Sequence, residues 1–127
     1  MGQQILLDST VVIAALSGSD SHHKNAQEIL SSTARSQFAI SAVSVGEVLI
    51  RPSVVGKESV ELLLSGLNRL VSQVIPFQQE HALLSASIRG KHKITFVDSM
   101  IIATAIIGDR KLISFDRKMM GIYERVK

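Results

Sequence analysis

Four acidic residues, Asp8, Glu47, Asp98 and Asp116, each lie at the end of an apolar run or in the first turns of the element that follows it. Because the carboxyl ends of parallel strands meet at one edge of a sheet, this placement predicts that the four carboxylates converge there. Crowded carboxylates repel one another, and Mg²⁺ or Mn²⁺, which favour oxygen ligands, would relieve that repulsion. The pattern therefore predicts a divalent-metal site, and such a site best supports metal-assisted hydrolysis of phosphodiesters.

Each acid also has a purely structural explanation. Asp8 and Asp98 can cap the helices that follow them, because a side-chain oxygen there accepts a free backbone N–H. Ser44 and Glu47 have the spacing of a capping box, and Asp116 suits a turn. For any single residue the structural explanation is the stronger one, since caps and turns are common. The repetition of the pattern in four separate segments is what favours a shared site.

Short apolar runs that alternate with amphipathic segments must position these acids. The sequence predicts strands at residues 5–7, 38–40, 73–76 and 111–114, and helices at residues 11–16, 22–35, 41–52, 57–71, 79–89 and 96–107. Ser9 or Thr10 is expected to cap the first helix. Residues 116–120 are predicted as a short turn or helix, and residues 123–126 as an edge strand. This alternation indicates an α/β fold with a mostly parallel sheet covered on both faces, whose strand order reverses beside Asp8.

Length and composition narrow the class of protein further. The 127 residues suit one domain, residues 1–127, and a hydrophobic content of 46% excludes global disorder. The sequence contains no cysteine, shows no secretory signal, and has no apolar stretch near the roughly 20 residues of a membrane helix. We therefore expect a soluble, cytoplasmic protein with no membrane partner. The net charge of +3 permits a polyanionic partner, whereas an aromatic content of 4% argues against a base-stacking surface.

Four segments together resemble the PIN-domain ribonucleases, in particular the VapC-type toxins of toxin–antitoxin pairs. The segments are residues 6–16 (LLDSTVVIAAL), 40–49 (ISAVSVGEVL), 96–105 (FVDSMIIATA) and 112–116 (LISFD). Each motif is weak alone, but their order and spacing along the whole chain match the family. The resemblance implies a PIN-like three-layer α/β/α sandwich with four to five strands. Gly46 and the basic segment 89–95 depart from the family pattern without removing an acid.

The resemblance also implies an activity and roles for residues. The chain would be a metal-dependent endoribonuclease that leaves a 5′-phosphate and a 3′-hydroxyl, inhibited by an antitoxin protein. Asp8 and Asp98 would be the inner ligands of one or two Mg²⁺ or Mn²⁺ ions, and Asp116 and Glu47 would complete the site or orient waters. The hydroxyl groups of Ser9 and Ser114 would hydrogen-bond the carboxylates.

The sequence also predicts an RNA-binding surface and a dimer interface. An acidic-edge nuclease needs phosphate contacts, and the cations proposed for RNA binding are Arg51, Arg89, Lys91 and Lys93, with Lys111 and Arg117 as further candidates. The helix at residues 57–71 is apolar on a broad face, with Leu62 beside it, which predicts a two-fold homodimer. The neighbouring His22 and His23 are not predicted to bind a metal, because adjacent helical residues point in different directions.

Other functions remain open at the level of sequence. A haloacid-dehalogenase-like phosphatase needs a second Asp at position 10, which is Thr10. A phospho-receiver domain needs an acidic pair before the first strand, where this chain has Gln3 and Gln4. A PIN nuclease of RNA processing, and a non-catalytic PIN scaffold that binds RNA or a partner, are the nearer alternatives.

Overall fold

The computed structural model describes residues 2–127 of the chain. Its strands are β1 (Ile5–Leu7), β2 (Phe38–Ser41), β3 (Gln73–Ile75) and β4 (Lys111–Ile113). Its α-helices are α1 (Ser9–Leu16), α2 (His23–Ser31), α3 (Ala42–Val55), α4 (Lys57–Leu70), α5 (Gln79–Lys91), α6 (Phe96–Ile107) and α7 (Arg117–Val126), and a 3₁₀ turn (Arg35–Gln37) precedes β2. None of the helices in this described range is long and apolar enough to cross a membrane.

The four strands form one parallel sheet in the order β3-β2-β1-β4. Leu7 in β1 pairs with Ile40 on one side and with Ile113 on the other. The chain moves outward from β1 to β2 and β3, then crosses to the opposite side of β1 to form β4. The strand order therefore reverses between β1 and β4, directly beside Asp8, which confirms the predicted parallel sheet and its switch point.

Successive residues of each strand face opposite layers of helices, because side chains alternate along an extended chain. Ile5 and Leu7 belong to a core formed with α1, α2, α3 and α4, whereas Leu6 belongs to a second core formed with α5, α6 and α7. All three residues are buried, which explains why β1 is a continuous apolar run rather than an alternating one. The result is the three-layer α/β/α sandwich that the sequence predicted.

The C-terminal residues form helix α7, so the edge strand predicted at residues 123–126 is wrong. Met119, Ile122, Tyr123 and Val126 recur at three- and four-residue spacing, which places them on one face of a helix. The first three are buried, and Val126 packs against the same core. The helical period becomes visible only when residues 117–122 are read together with the four residues assigned to the strand.

The boundary between α3 and α4 also differs from the prediction. Helix α3 continues past Pro52 to Val55, instead of stopping near the proline. It ends at Gly56, whose φ of 146° is a conformation that glycine adopts without strain. Gly56 is also the N-cap position of α4, so the two helices are joined by a single residue. Helix α2 is shorter than predicted and ends at Ser31.

Candidate active site at the carboxyl edge of the sheet

Three of the four acids lie on segments that leave the carboxyl ends of strands. Asp8 follows β1 directly, and Asp116 lies between β4 and α7. Glu47 lies in the second turn of α3, which begins where β2 ends. Asp98 lies in the first turn of α6, and the charges of Asp116 and Asp8 are close enough to perturb its carboxyl group. Four separate elements thus bring a carboxylate to one edge of the sheet.

Asp8 is held in a fixed position by the residues around it. Its side chain is only 2% exposed and caps α1, where Oδ2 accepts the backbone N–H of Thr10 at 3.4 Å. The same oxygen accepts the Thr10 hydroxyl at 2.8 Å and the Ser114 hydroxyl at 2.7 Å. Asp8 is therefore the cap of this helix, and the prediction that Ser9 or Thr10 would cap it is wrong. All three donors contact Oδ2, which leaves Oδ1 as the oxygen available to a ligand.

Two hydroxyl groups connect the junction of β1 and α1 to the loop after β4. Thr10 Oγ1 accepts the backbone N–H of Phe115 at 3.1 Å, and Ser114 Oγ accepts that of Asp116 at 2.9 Å. The contribution of Thr10 was missed in the sequence. The available signal was its position two residues after Asp8, from which a hydroxyl reaches back to the capping carboxylate.

The remaining two aspartates differ in how they relate to their helices. Asp116 is the N-cap of α7, and its Oδ1 accepts the backbone N–H of Met119 at 3.1 Å. Asp98 is not a cap, because Thr95 occupies that position in α6 and its Oγ1 accepts the backbone N–H of Asp98 at 3.1 Å. The carboxylate of Asp98 is thus not needed to cap its helix.

The carboxyl group of Asp98 has a raised pKa. The largest cause is its partial burial, and the negative charges of Asp116 and then Asp8 raise the pKa further. A hydrogen bond with the Thr95 hydroxyl and the positive charge of Lys118 act in the opposite direction without cancelling the rise. Ionisation of Asp98 is therefore less favourable in the folded protein than it is for a free aspartate side chain.

The carboxyl group of Glu47 also has a raised pKa. Burial is again the largest cause of its raised pKa, followed by the charge of Asp8 and, more weakly, that of Asp98. The hydroxyl of Ser9 opposes the rise by hydrogen-bonding the carboxylate. Ser9 thus acts on Glu47, whereas Ser114 acts on Asp8. The four acids form one electrostatically coupled group, with Asp98 connected to each of the other three.

Ser44 does not form the capping box that its spacing with Glu47 allowed. The N-cap of α3 is Ser41, whose Oγ accepts the backbone N–H of Val43 at 3.1 Å. Ser44 lies inside the helix, is fully buried, and its Oγ has no hydrogen-bond partner among residues 2–127. The structural explanation for Glu47 therefore does not hold.

A divalent cation fits the chemistry of this edge, although the carboxylates do not surround one point. Within residues 2–127, no three acidic or histidine side chains lie close enough together to hold one ion. The donors are carboxylate oxygens, which suit Mg²⁺ and Mn²⁺, and the repulsion felt by Glu47 and Asp98 is what a cation would relieve. Mg²⁺ commonly takes few protein carboxylates and completes its shell with water and substrate phosphate. The edge is therefore suited to an ion whose coordination a phosphate substrate completes.

An aromatic contact borders the acidic edge. The rings of His22 and Phe115 stack with centroids 4.6 Å apart and an angle of 16° between their planes. They line a small pocket of about 260 Å³ together with Thr10 and Asp116. The neighbouring His23 contacts a different group, because its Nδ1 donates to the carbonyl of Ala14 at 2.7 Å. The two histidines thus have separate structural contacts.

The cations predicted to bind RNA are spread over the surface. Arg51 is exposed on α3, and Arg89 and Lys91 are exposed at the end of α5. Lys93 lies in the loop after α5, where it lines a pocket with residues of α7. The other candidates, Lys111 and Arg117, are also exposed, and Arg117 lines the same pocket as Lys93.

Comparisons with known proteins identify the family. The family model "PIN domain" matches residues 5–124. No curated protein matches the chain. Among solved structures, the chain is similar to FitAcB from Neisseria gonorrhoeae, with 22% identity, 95% of this chain and 94% of that chain covered, and a TM-score of 0.78.

Two further structures show the same fold. A chain of a toxin–antitoxin complex from Klebsiella pneumoniae is 24% identical to this chain, with a TM-score of 0.76. The match covers 92% of this chain and 90% of that chain. VapC20 from Mycobacterium tuberculosis, described as a toxin that cleaves the sarcin-ricin loop, has 17% identity, with 93% and 94% covered and a TM-score of 0.77. Because the family model spans nearly the whole chain, the phosphatase and phospho-receiver alternatives are excluded. The chain belongs to the PIN-domain family.

Proposed function

We propose that this PIN domain, acting as one unit over residues 1–127, is a metal-dependent endoribonuclease and the toxin of a toxin–antitoxin pair. The observation that carries the proposal is the electrostatic coupling of Asp98 to Asp8, Glu47 and Asp116 at one edge of the sheet. Repulsion among these groups costs stability, and the raised pKa values of Glu47 and Asp98 are typical of functional sites rather than of helix caps. The site is the proposed place where a phosphodiester is hydrolysed.

The residues have distinct proposed tasks. Asp8 and Asp98 are the principal ligands of Mg²⁺ or Mn²⁺, which when bound supplies a Lewis acid that lowers the pKa of water and stabilises charge on the phosphate. Thr10 and Ser114 hydrogen-bond Oδ2 of Asp8 and so fix the orientation of its side chain. Oδ1 is thereby positioned to bind the metal without a change of rotamer. Glu47 and Asp116 complete the site and orient the attacking water. The water oxygen bonds to phosphorus and the 3′ oxygen leaves with a proton, which gives a 5′-phosphate and a 3′-hydroxyl.

An antitoxin is the proposed protein partner. The fold is shared with structures described as a toxin–antitoxin complex from Klebsiella pneumoniae and as VapBC2 from Rickettsia felis bound to a promoter fragment. A disordered antitoxin segment that folds on binding, with a basic side chain entering the acidic edge, would compete with the metal for the carboxylates. The cytoplasm is the proposed location of such a pair, which a chain without cysteine fits.

A homodimer is the proposed assembly. On α4, Leu67 is buried and Leu63 and Leu70 pack against the core, so much of the predicted apolar face is used within the monomer. Leu62 is nevertheless 72% exposed, and neighbouring apolar residues on the α3–α4 hairpin are exposed as well: Ile50, Val54, Val55 and Leu64. Burying such side chains between two copies is favourable at about 25 cal/mol per Å². The hairpin is therefore the proposed two-fold interface.

The decisive test of the activity is cleavage of total cellular RNA by the purified chain with Mg²⁺, with Mn²⁺ or with a chelator. We expect cleavage only with metal, and none by Asp8→Asn. The matched control is Asp109→Asn, because Asp109 is an exposed acid outside the edge and has a φ of 51°, which Asn tolerates. Absence of cleavage by the wild type with either metal would overturn the nuclease proposal and leave a scaffold that only binds.

The toxin role needs a separate test in cells. We expect expression of the chain in a sensitive bacterial host to arrest growth, whereas Asp8→Asn expression does not. Harmless expression of wild-type protein that is active in the lysate would favour a PIN nuclease of RNA processing instead.

A further inference from the structure

A cationic pocket lies between α7 and the loop that follows α5. Its lining contains Lys93, Arg117, Lys118 and Arg125, with His92 as a further N–H donor. The pocket has a volume of about 320 Å³, which falls within the usual range of ligand clefts, about 300–1,000 Å³. No acidic side chain contributes to its lining.

None of the four cationic side chains forms a salt bridge within residues 2–127. Within the described residues, the salt bridge with a nitrogen–oxygen distance below 4.0 Å joins Lys127 to Glu124, and neither of these residues lines the pocket. Cations that share one concavity repel one another, so their grouping does not stabilise the fold. A concave surface with one sign of charge instead concentrates a counter-charged ligand.

The pocket adjoins the acidic edge. Asp116 caps α7, and the next two residues, Arg117 and Lys118, reach the pocket from the first turn of the same helix. Lys118 also lies close enough to Asp98 for its positive charge to act on that carboxyl group. An extended polyanion that reaches the acids with one phosphate can therefore reach the pocket with another.

We propose that this pocket binds a phosphate of the RNA strand beside the phosphodiester that is cleaved. The inference rests on the proposed ribonuclease function and adds a second anchoring point for its substrate. Arg117 and Arg125 offer planar forks of N–H donors, which suit phosphate oxygens, and Lys93 and Lys118 add charge. Of the four cations predicted from the sequence to bind RNA, Lys93 alone lines this pocket. Arg117 was a further candidate, and Lys118 and Arg125 are new assignments.

The test measures RNA binding in the Asp8→Asn background with a labelled single-stranded oligonucleotide at increasing salt. Lys93→Gln with Arg125→Gln should weaken binding at low salt by roughly tenfold or more, and should reduce the slope of log K against log salt by about 0.7, the value for one lost single-strand phosphate contact. The matched control is Lys24→Gln with Lys57→Gln, which removes the same charge from exposed positions outside the pocket. Arg125→Lys in place of Arg125→Gln should restore most of the slope.

The outcomes separate the pocket from the activity. If the pocket variant and the control variant show the same affinity and slope, the pocket proposal is overturned, whatever the wild type does to RNA. If wild-type protein fails to cleave RNA with metal, but the pocket variant shows the reduced dependence of RNA affinity on salt, the nuclease proposal fails and the phosphate site stands. Displacement of labelled RNA by inorganic phosphate as fully as by unlabelled RNA at the same phosphate concentration would overturn RNA as the occupant.

Discussion

Ser114 and Asp8 are 106 positions apart in the chain, yet the Ser114 hydroxyl donates to Oδ2 of Asp8 at 2.7 Å. The same hydroxyl oxygen accepts the backbone N–H of Asp116 at 2.9 Å. One side chain thus connects the acids that follow the adjacent strands β1 and β4. Through this connection, the switch point of the sheet sets the distance between two groups of the proposed site.

The first prediction tests that connection. Ser114→Ala should lower the free energy of unfolding by about 1–2 kcal/mol, because a buried carboxylate loses a donor and the N–H of Asp116 loses its acceptor. Asp8 keeps its bonds to Thr10, so the fold should persist. Urea denaturation gives the change, and Ser114→Thr, which restores a hydroxyl, should recover most of it. Equal stability of the alanine variant and the wild type would show that the bond contributes little.

The second prediction concerns charge at the acidic edge. Asp98→Asn should abolish RNA cleavage while leaving the thermal midpoint in chelator unchanged or higher, because it removes a negative charge that Asp116 and Asp8 repel. Thr95, not Asp98, caps α6, so the substitution removes no helix cap. Melting curves in chelator check the outcome, and a clearly lower midpoint would mean that the carboxylate is structural.

The pH dependence of this effect has a definite sign. A carboxyl group whose pKa is raised on folding binds more protons in the folded state, so its contribution favours folding at low pH and is lost as pH rises through the raised pKa. For Asp98 that window begins near the reference value of 3.8 and extends upward. The gain in stability from Asp98→Asn should therefore be largest near neutral pH and should shrink as pH falls toward 3.8. A gain that grows on acidification would contradict the assignment.

The positions of the acids and a hydrogen-bonding role for Ser114 were predicted, whereas the contribution of Thr10 and the identity of the carboxylate that Ser114 contacts were not. Asp8 could be placed because it directly follows a short apolar run that predicts a strand, and Asp116 because it lies shortly after the end of another such run. The hydrogen bonds of Thr10 and Ser114 depend on the adjacency of β1 and β4, which are separated by most of the chain. No local pattern specifies that adjacency, since it follows from which strand crosses to the other side of β1.

The errors in the secondary structure have equally specific causes. Residues 123–126 contain too few positions to distinguish a helical from an extended period, and the buried face of α7 begins earlier, at Met119. The start of α3 was predicted correctly at Ser41, which caps the helix where β2 runs directly into it, so the capping-box spacing of Ser44 and Glu47 has no structural role.

The third prediction concerns the stack of His22 on Phe115. Because this contact ties the loop before α2 to the loop that carries Asp116, His22→Ala should lower stability by about 0.5–1.5 kcal/mol. It should also increase amide exchange of the backbone N–H of Phe115, which Thr10 accepts at 3.1 Å. His22→Phe retains a stacking ring and should behave like the wild type. Unaltered exchange in the alanine variant would show that the stack does not hold this loop.

The last prediction concerns assembly through the α3–α4 hairpin. Leu62→Glu should convert a dimer into a monomer at micromolar concentration, because it places a charge in the proposed interface, where burial of a leucine contributes about 1.5–3 kcal/mol. The control is Leu83→Glu, since Leu83 is 68% exposed, close to the 72% of Leu62, but lies on α5 in the opposite helical layer. Light scattering should give a dimer mass for the wild type and for Leu83→Glu, and a monomer mass for Leu62→Glu with an unchanged circular dichroism spectrum. A monomer mass for the wild type would refute the dimer and leave the acidic site unaffected.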